Sequence, residues 1–123
     1  MLATSGAFHS PLMQSAAEAL AEFLEEVEFH EARTPLVCNV DARPLSVADA
    51  RAHLASQVVS PVLFEQSVHW LSEQGVDAFV ECGFGGVLTK LVKRIEPAAA
   101  RFAPVSPEEI AQVAGEVACG GAE

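Results

Sequence analysis

The sequence predicts an α/β chain with a mainly parallel sheet. Two observations carry this. Short apolar, β-prone runs (Thr34 to Val40, Asp77 to Cys82, Arg101 to Val105) alternate with longer segments of helical periodicity. That alternation is the pattern of helices layered on a parallel sheet. Only three or four strands are visible, and parallel strands usually need both faces covered. The chain therefore reads as part of a larger sheet.

The elements follow in order. Residues 1 to 8 are small and extended, a strand or an approach segment. Ser10 can cap a helix and Pro11 suits its first turn. Met13, Ala16, Ala17, Leu20, Phe23, Leu24 and Val27 then recur at helical spacing, with Glu18, Glu22, Glu25 and Glu26 mostly off that stripe. The run TPLVCNV (34 to 40) reads as a strand, and Asp41-Ala42-Arg43-Pro44 as a turn. Ser46 to Val58 reads as a helix capped by Ser46. Ser60-Pro61 begins another, with Phe64, Val68 and Leu71 inside and Gly75 as its stop. DAFVEC (77 to 82) is a strand. Gly83-Phe84-Gly85-Gly86 turns the chain into a helix carrying Val87, Leu88, Leu91, Val92 and Ile95. Ser106-Pro107 opens a last helix to about Val117, and Cys119 to Glu123 is a frayed tail.

At 123 residues the chain has the size of one domain, and with 50% apolar residues it reads as packed rather than disordered. No apolar run reaches the roughly 18 to 20 residues of a membrane span. MLATSGAFHS has neither the basic residues nor the apolar stretch of a secretory signal. Cys38, Cys82 and Cys119 are odd in number and widely spaced, as expected of reduced, small core residues in a cytoplasmic protein. A net charge of −10 argues against nucleic acid, which needs a concentrated positive surface. It also argues against acidic partners, except through a local basic patch.

Lys90, Lys93 and Arg94 form such a patch. At i, i+3 and i+4 they share one helix face, and they are three of seven basic residues. The patch is either a solvated face that offsets the helix dipole or a docking site for an acidic partner. The glycine-rich turn at 83 to 86 has neither dinucleotide-binding nor P-loop spacing, so it reads as a tight strand-to-helix turn. His9, His30, His53 and His69 lack metal-ligand spacing. His9 stands alone before a helix. A neutral imidazole there can take a proton from a hydroxyl, given a fixed acceptor at its other nitrogen. By spacing alone, a structural histidine is the commoner outcome. No GxSxG elbow supplies a serine nucleophile, and neither Ser5-Gly6 nor Ser10-Pro11 substitutes for one.

Four segments in order carry a resemblance: SGAFHSPLM (5 to 13), NVDARPL (39 to 45), SPVLFEQSVHWL (60 to 71) and GVDAFVECGFGGVLTKLVKRI (75 to 95). Together they resemble the C-terminal part of malonyl-CoA:acyl carrier protein transacylases and, more widely, polyketide synthase acyltransferase domains. The likeness covers about residues 4 to 96, and 97 to 123 match weakly. It implies part of the α/β-hydrolase-like large subdomain of an acyltransferase, with residues 1 to 123 as its C-terminal portion. The remainder, including a small ferredoxin-like subdomain, is expected outside this sequence.

The resemblance also implies a reaction, in fatty acid or polyketide biosynthesis. A serine takes the malonyl group from malonyl-CoA and passes it to the phosphopantetheine thiol of acyl carrier protein. No cofactor beyond these substrates is implied. His9 matches the family's general base, and Gln57 the residue whose backbone carbonyl orients it. Phe8 matches a bulky residue associated with malonyl selectivity. Lys93 and Arg94, with Lys90 beside them, match a carrier-docking pair. The serine, the oxyanion loop and the arginine for the malonyl carboxylate fall outside this sequence, so the isolated chain is expected to be inactive. Phe84 and Gly86 replace a usual proline and lysine, which implies a looser turn. Two further readings stay open. One is a non-catalytic module that complements a separate N-terminal piece or self-associates. The other is a polyketide-type piece with another acyl-CoA preference.

Overall fold

A computed structural model describes residues 6–120. The chain divides into two compact units, residues 1–67 and 68–123, with the division inside one helix.

In the first unit a 3-10 turn (Pro11–Met13) leads into α1 (Gln14–Leu24), and α2 spans Ala50–Gln57. The two helices pack on each other. Ala17, Leu24 and Ala50 are buried, small enough at two of three positions for close approach. Arg51 locks the pair. Its Nε donates to the Leu24 carbonyl at 2.8 Å and its Nη2 to Val27 O at 2.7 Å. These are carbonyls at or just beyond the end of α1, where intrahelical donors run out. The guanidinium also lies 5.4 Å from the Phe29 ring centroid.

Several boundaries differ from the sequence reading, each for a local reason. Ser10 does not cap α1, because its hydroxyl donates backward to Ala7 O at 2.7 Å. Phe23, assigned to the apolar stripe, is 67% exposed. The run from Thr34 to Val40 is not a strand. The turn after it folds back at once, and Pro44 has no N–H to extend a ladder. What forms is one antiparallel bridge, Val37 to Pro44, with Cys38 N to Arg43 O and Leu45 N to Leu36 O both at 2.8 Å. Ser46 does cap, but it caps a separate turn. Its Oγ accepts from Asp49 N at 3.2 Å, and α2 starts only at Ala50. Likewise α3 begins at Phe64, three residues beyond Pro61, and runs to Glu73. Gly75 ends it with a φ of 89°.

The second unit holds β1 (Ala78–Val80), α4 (Val87–Ile95), β2 (Ala100–Phe102) and α5 (Pro107–Gly120). The strands pair in parallel, Ala78 opposite Ala100 and Val80 opposite Phe102, with α4 as the crossover. The backbone of α5 continues to Gly120, so the expected tail starting at Cys119 is helical in its first two residues; 121 to 123 lie outside the described residues. Of the apolar residues assigned to α4, only Val92 is buried, while Val87, Leu88 and Leu91 are exposed. Cys38 is buried, Cys82 is exposed, and the side chain of Cys119 lies outside the described residues. No helix among the described residues is long and apolar enough to cross a membrane.

Candidate functional site

His9 lies in a tight turn with a φ of 57°, the left-handed region that few non-glycine residues occupy. The Ser10 hydroxyl bond to Ala7 O closes this turn. Neighbouring Phe8 is 58% exposed, with its ring laid over Gly6. A Cβ at Gly6 would meet Phe8 Cε2 at 3.1 Å, so the exposed ring would have to shift by a few tenths of an ångström to admit a larger residue there.

His9 Nδ1 stands 2.9 Å from the backbone carbonyl of Gln57. A carbonyl can only accept, so Nδ1 carries the proton and the Nε2 lone pair is left for other chemistry. No group among the described residues bonds Nε2. This is the arrangement that a base requires: one nitrogen fixed, the other open.

The chain makes that carbonyl available. Gln57 is the last residue of α2, so no intrahelical N–H reaches it. The next N–H groups are committed elsewhere: Val58 N to Ala55 O, and both Val59 N and Ser60 N to Ser56 O. The fourth residue on is Pro61, which has no N–H at all.

Asn39 supports Gln57. Its Nδ2 donates to Gln57 Oε1 at 3.2 Å, and its carbonyl accepts from Leu63 N at 2.9 Å. His53, one helical turn before Gln57, places Nε2 3.6 Å from Asp41 Oδ2, close but beyond hydrogen-bond distance. The sequence reading missed both contacts. The NVD triplet and the i, i+4 pair His53/Gln57 were visible, but nothing local paired them.

Lys90, Lys93 and Arg94 are exposed on α4, the last two in its final turn, where the dipole favours cations. The N-terminus of that helix held another unexpected feature. Glu81 accepts from Val87 N at 3.1 Å, Thr89 N at 2.8 Å and the Thr89 hydroxyl at 2.6 Å. The Thr89 hydrogen bonds, together with the helix N–H groups, hold its carboxyl below the usual carboxylate range. Gly86 takes a left-handed φ of 60° without side-chain cost. A carboxylate thus ties the chain before this turn to the first residues of the helix after it. His69 pairs with Glu96 at 2.9 Å, and no group of three metal-ligating side chains forms among the described residues.

No family model matches the chain. Individual proteins do. It is 41% identical over 110 residues to the malonyl CoA-acyl carrier protein transacylase of Bacillus subtilis, covering 89% of this chain and 35% of that protein. The crystal structure of MCAT from Streptococcus pneumoniae superposes with a TM-score of 0.87 at 33% identity, covering 94% of this chain and 38% of the other. A malonyl-transacylase in complex with a type II polyketide acyl-carrier protein gives a TM-score of 0.83 at 38% identity, covering 88% and 35%. The chain thus spans about a third of the length of the relatives it matches. In sequence and fold the chain is similar to the C-terminal region of malonyl CoA-acyl carrier protein transacylases.

Proposed function

We propose that this chain supplies the general base for transfer of a malonyl group from malonyl-CoA to acyl carrier protein. The observation that carries the reading is the His9 Nδ1 to Gln57 O bond of 2.9 Å, which leaves Nε2 as the basic nitrogen. On this reading the nucleophilic serine would come from outside this chain.

The steps balance as two displacements. His9 Nε2 takes the serine hydroxyl proton while the serine oxygen attacks the malonyl thioester carbonyl. The C–S bond breaks, and the coenzyme A sulfur leaves with the proton from the imidazolium. His9 then takes the proton of the carrier's phosphopantetheine thiol, which attacks the acyl-serine. The serine oxygen leaves and recovers that proton. Throughout, the Gln57 carbonyl holds Nδ1–H without adding a full charge. Phe8, beside the base, would crowd an acyl group with an α-branch. Lys90, Lys93 and Arg94 would meet the acidic carrier, in line with the carrier complex of a relative.

The test is a chimera. The 123 residues replace the matching region of the Bacillus subtilis relative, and transfer from radiolabelled malonyl-CoA to carrier is measured. Transfer is expected from the chimera and not from the 123 residues alone. A folded His9→Ala chimera that transfers at the parent rate would overturn the assignment.

One observation favours a second reading, a non-catalytic module that complements a separate N-terminal piece or self-associates. Val80, Pro104, Ile110, Val113 and Val117 line an apolar groove of about 400 Å³ in the second unit. Migration of the isolated chain as a compact monomer, without binding a dye for apolar surface, would argue against exposed edges and self-association.

A further inference from the structure

We infer that Asn39 is a positioning residue for the base. It acts by clipping together the two ends of the segment that presents the Gln57 carbonyl. The inference rests on the reading of His9 as the base.

After Gln57 the chain turns through Val58, Val59 and Ser60, whose N–H groups bond back to the Ala55 and Ser56 carbonyls, and then runs without regular structure to α3 at Phe64, with Pro61 removing one donor. The Gln57 carbonyl therefore sits at the last ordered turn, and the Val58 N–H of its own peptide bonds at 3.3 Å, so support from outside the helix can sharpen its aim. Asn39 touches both ends of the segment between the two helices. The side-chain amide reaches Gln57 Oε1 at 3.2 Å, and the carbonyl of the same residue takes Leu63 N at 2.9 Å. Asn39 is itself held. Its neighbour Cys38 is buried and bonded in both directions, by Cys38 N to Arg43 O at 2.8 Å and Ala42 N to Cys38 O at 2.9 Å. The order of support runs from the 38–43 turn to Asn39, to Gln57, to the Nδ1–H of His9. A base must be held within about half an ångström of its working geometry by exactly this kind of backing.

Side-chain chemistry separates this role from generic stability. Asp at 39 cannot donate, but the Gln57 amide can turn over and donate to it, so the rung survives. Leu at 39 fills similar space and cannot bond at all. Gln57→Leu cuts the same rung from the other side and leaves the Gln57 backbone carbonyl in place.

The experiment reads the imidazole tautomer of His9 by long-range proton–nitrogen NMR on the whole 123-residue chain. Released from its acceptor, a neutral imidazole favours the Nε2–H form. The parent is expected to show Nδ1–H. Asn39→Leu is expected to shift toward Nε2–H, and Asn39→Asp to retain Nδ1–H. In the chimera, Asn39→Leu should lower kcat/KM by roughly tenfold, with Asn39→Asp recovering most of it. Nδ1–H retained in a folded Asn39→Leu chain overturns the proposal. Should that variant not fold, Gln57→Leu decides: a shift supports the clip, and an unchanged tautomer overturns it. If the tautomers respond as expected while His9→Ala leaves the chimera's rate intact, the base assignment fails and the clip stands as a structural fact.

Discussion

Gln57 and Pro61 stand four residues apart, the spacing of a helical hydrogen bond, and the second lacks the N–H that would make it. The Gln57 carbonyl is therefore left to His9, at 2.9 Å from Nδ1. The acceptor for an imidazole N–H need not be a carboxylate. A helix end whose own donor has been deleted supplies a fixed acceptor with no ionisable group.

The first prediction concerns His9 itself. Asn tolerates the left-handed backbone that His9 occupies, so His9→Asn tests chemistry without adding strain at a φ of 57°. The substituted chimera should unfold within a few tenths of a kcal/mol of the parent in urea. Its transfer rate should fall by roughly 10²- to 10⁴-fold, the usual contribution of a general base. Equal rates in the two proteins would remove His9 from the reaction.

Much of this was legible in the sequence, and the failures have physical causes. The alternation of apolar runs and helical stripes was enough for the α/β class. Gly75 and the glycines before α4 marked true left-handed positions. The strand at 34 to 40 failed because β-propensity describes a surface that suits pairing, whereas Pro44 and the immediate turn leave room for one bridge. The stripes on α1 and α4 overstated burial. Phe23, Val87 and Leu91 have helical spacing but remain exposed, since periodicity names a face and says nothing of what covers it. At the site, His9 and Gln57 were readable only through resemblance, being 48 residues apart. Asn39 and Glu81 were not readable, because their bonds are made across loops that carry no periodic signal.

Arg51 should be the stability anchor of the first unit. Its two bonds to the end of α1 use the planar fork, which lysine cannot reproduce. Arg51→Ala should cost about 1 to 2 kcal/mol in urea unfolding, and Arg51→Lys should recover less than half of it. Full recovery by lysine would mean that only the charge matters.

Glu81 predicts a pH dependence, and its sign is fixed by the direction of the shift. The folded carboxyl titrates below its ordinary value of 4.5, so the unfolded chain binds the proton more readily. Stability from Glu81 is therefore fully present above about 4.5 and is lost as pH falls through the lower folded value. Glu81→Gln should be destabilised at neutral pH and converge on the parent as acid is added. A gap that persists unchanged into acid would point to lost geometry in place of lost charge. The amides of Val87 and Thr89 should exchange faster in the same variant, because they would lose the carboxylate they bond.

The basic face of α4 gives the last prediction. Lys90, Lys93 and Arg94 stand out against a net charge of −10, so their effect on an acidic carrier should be local and sensitive to salt. Reversing all three to Glu in the chimera should raise KM for the carrier by on the order of tenfold or more at low ionic strength. The KM for malonyl-CoA should stay unchanged, since the face is assigned to the carrier alone. The difference between parent and variant should shrink as salt is raised toward roughly 0.5 M, where screening cuts the reach of exposed charges to a few ångströms. A change confined to malonyl-CoA would place coenzyme A, not the carrier, on this face. No change with either substrate would make the three residues a solvated helix end that offsets its own dipole.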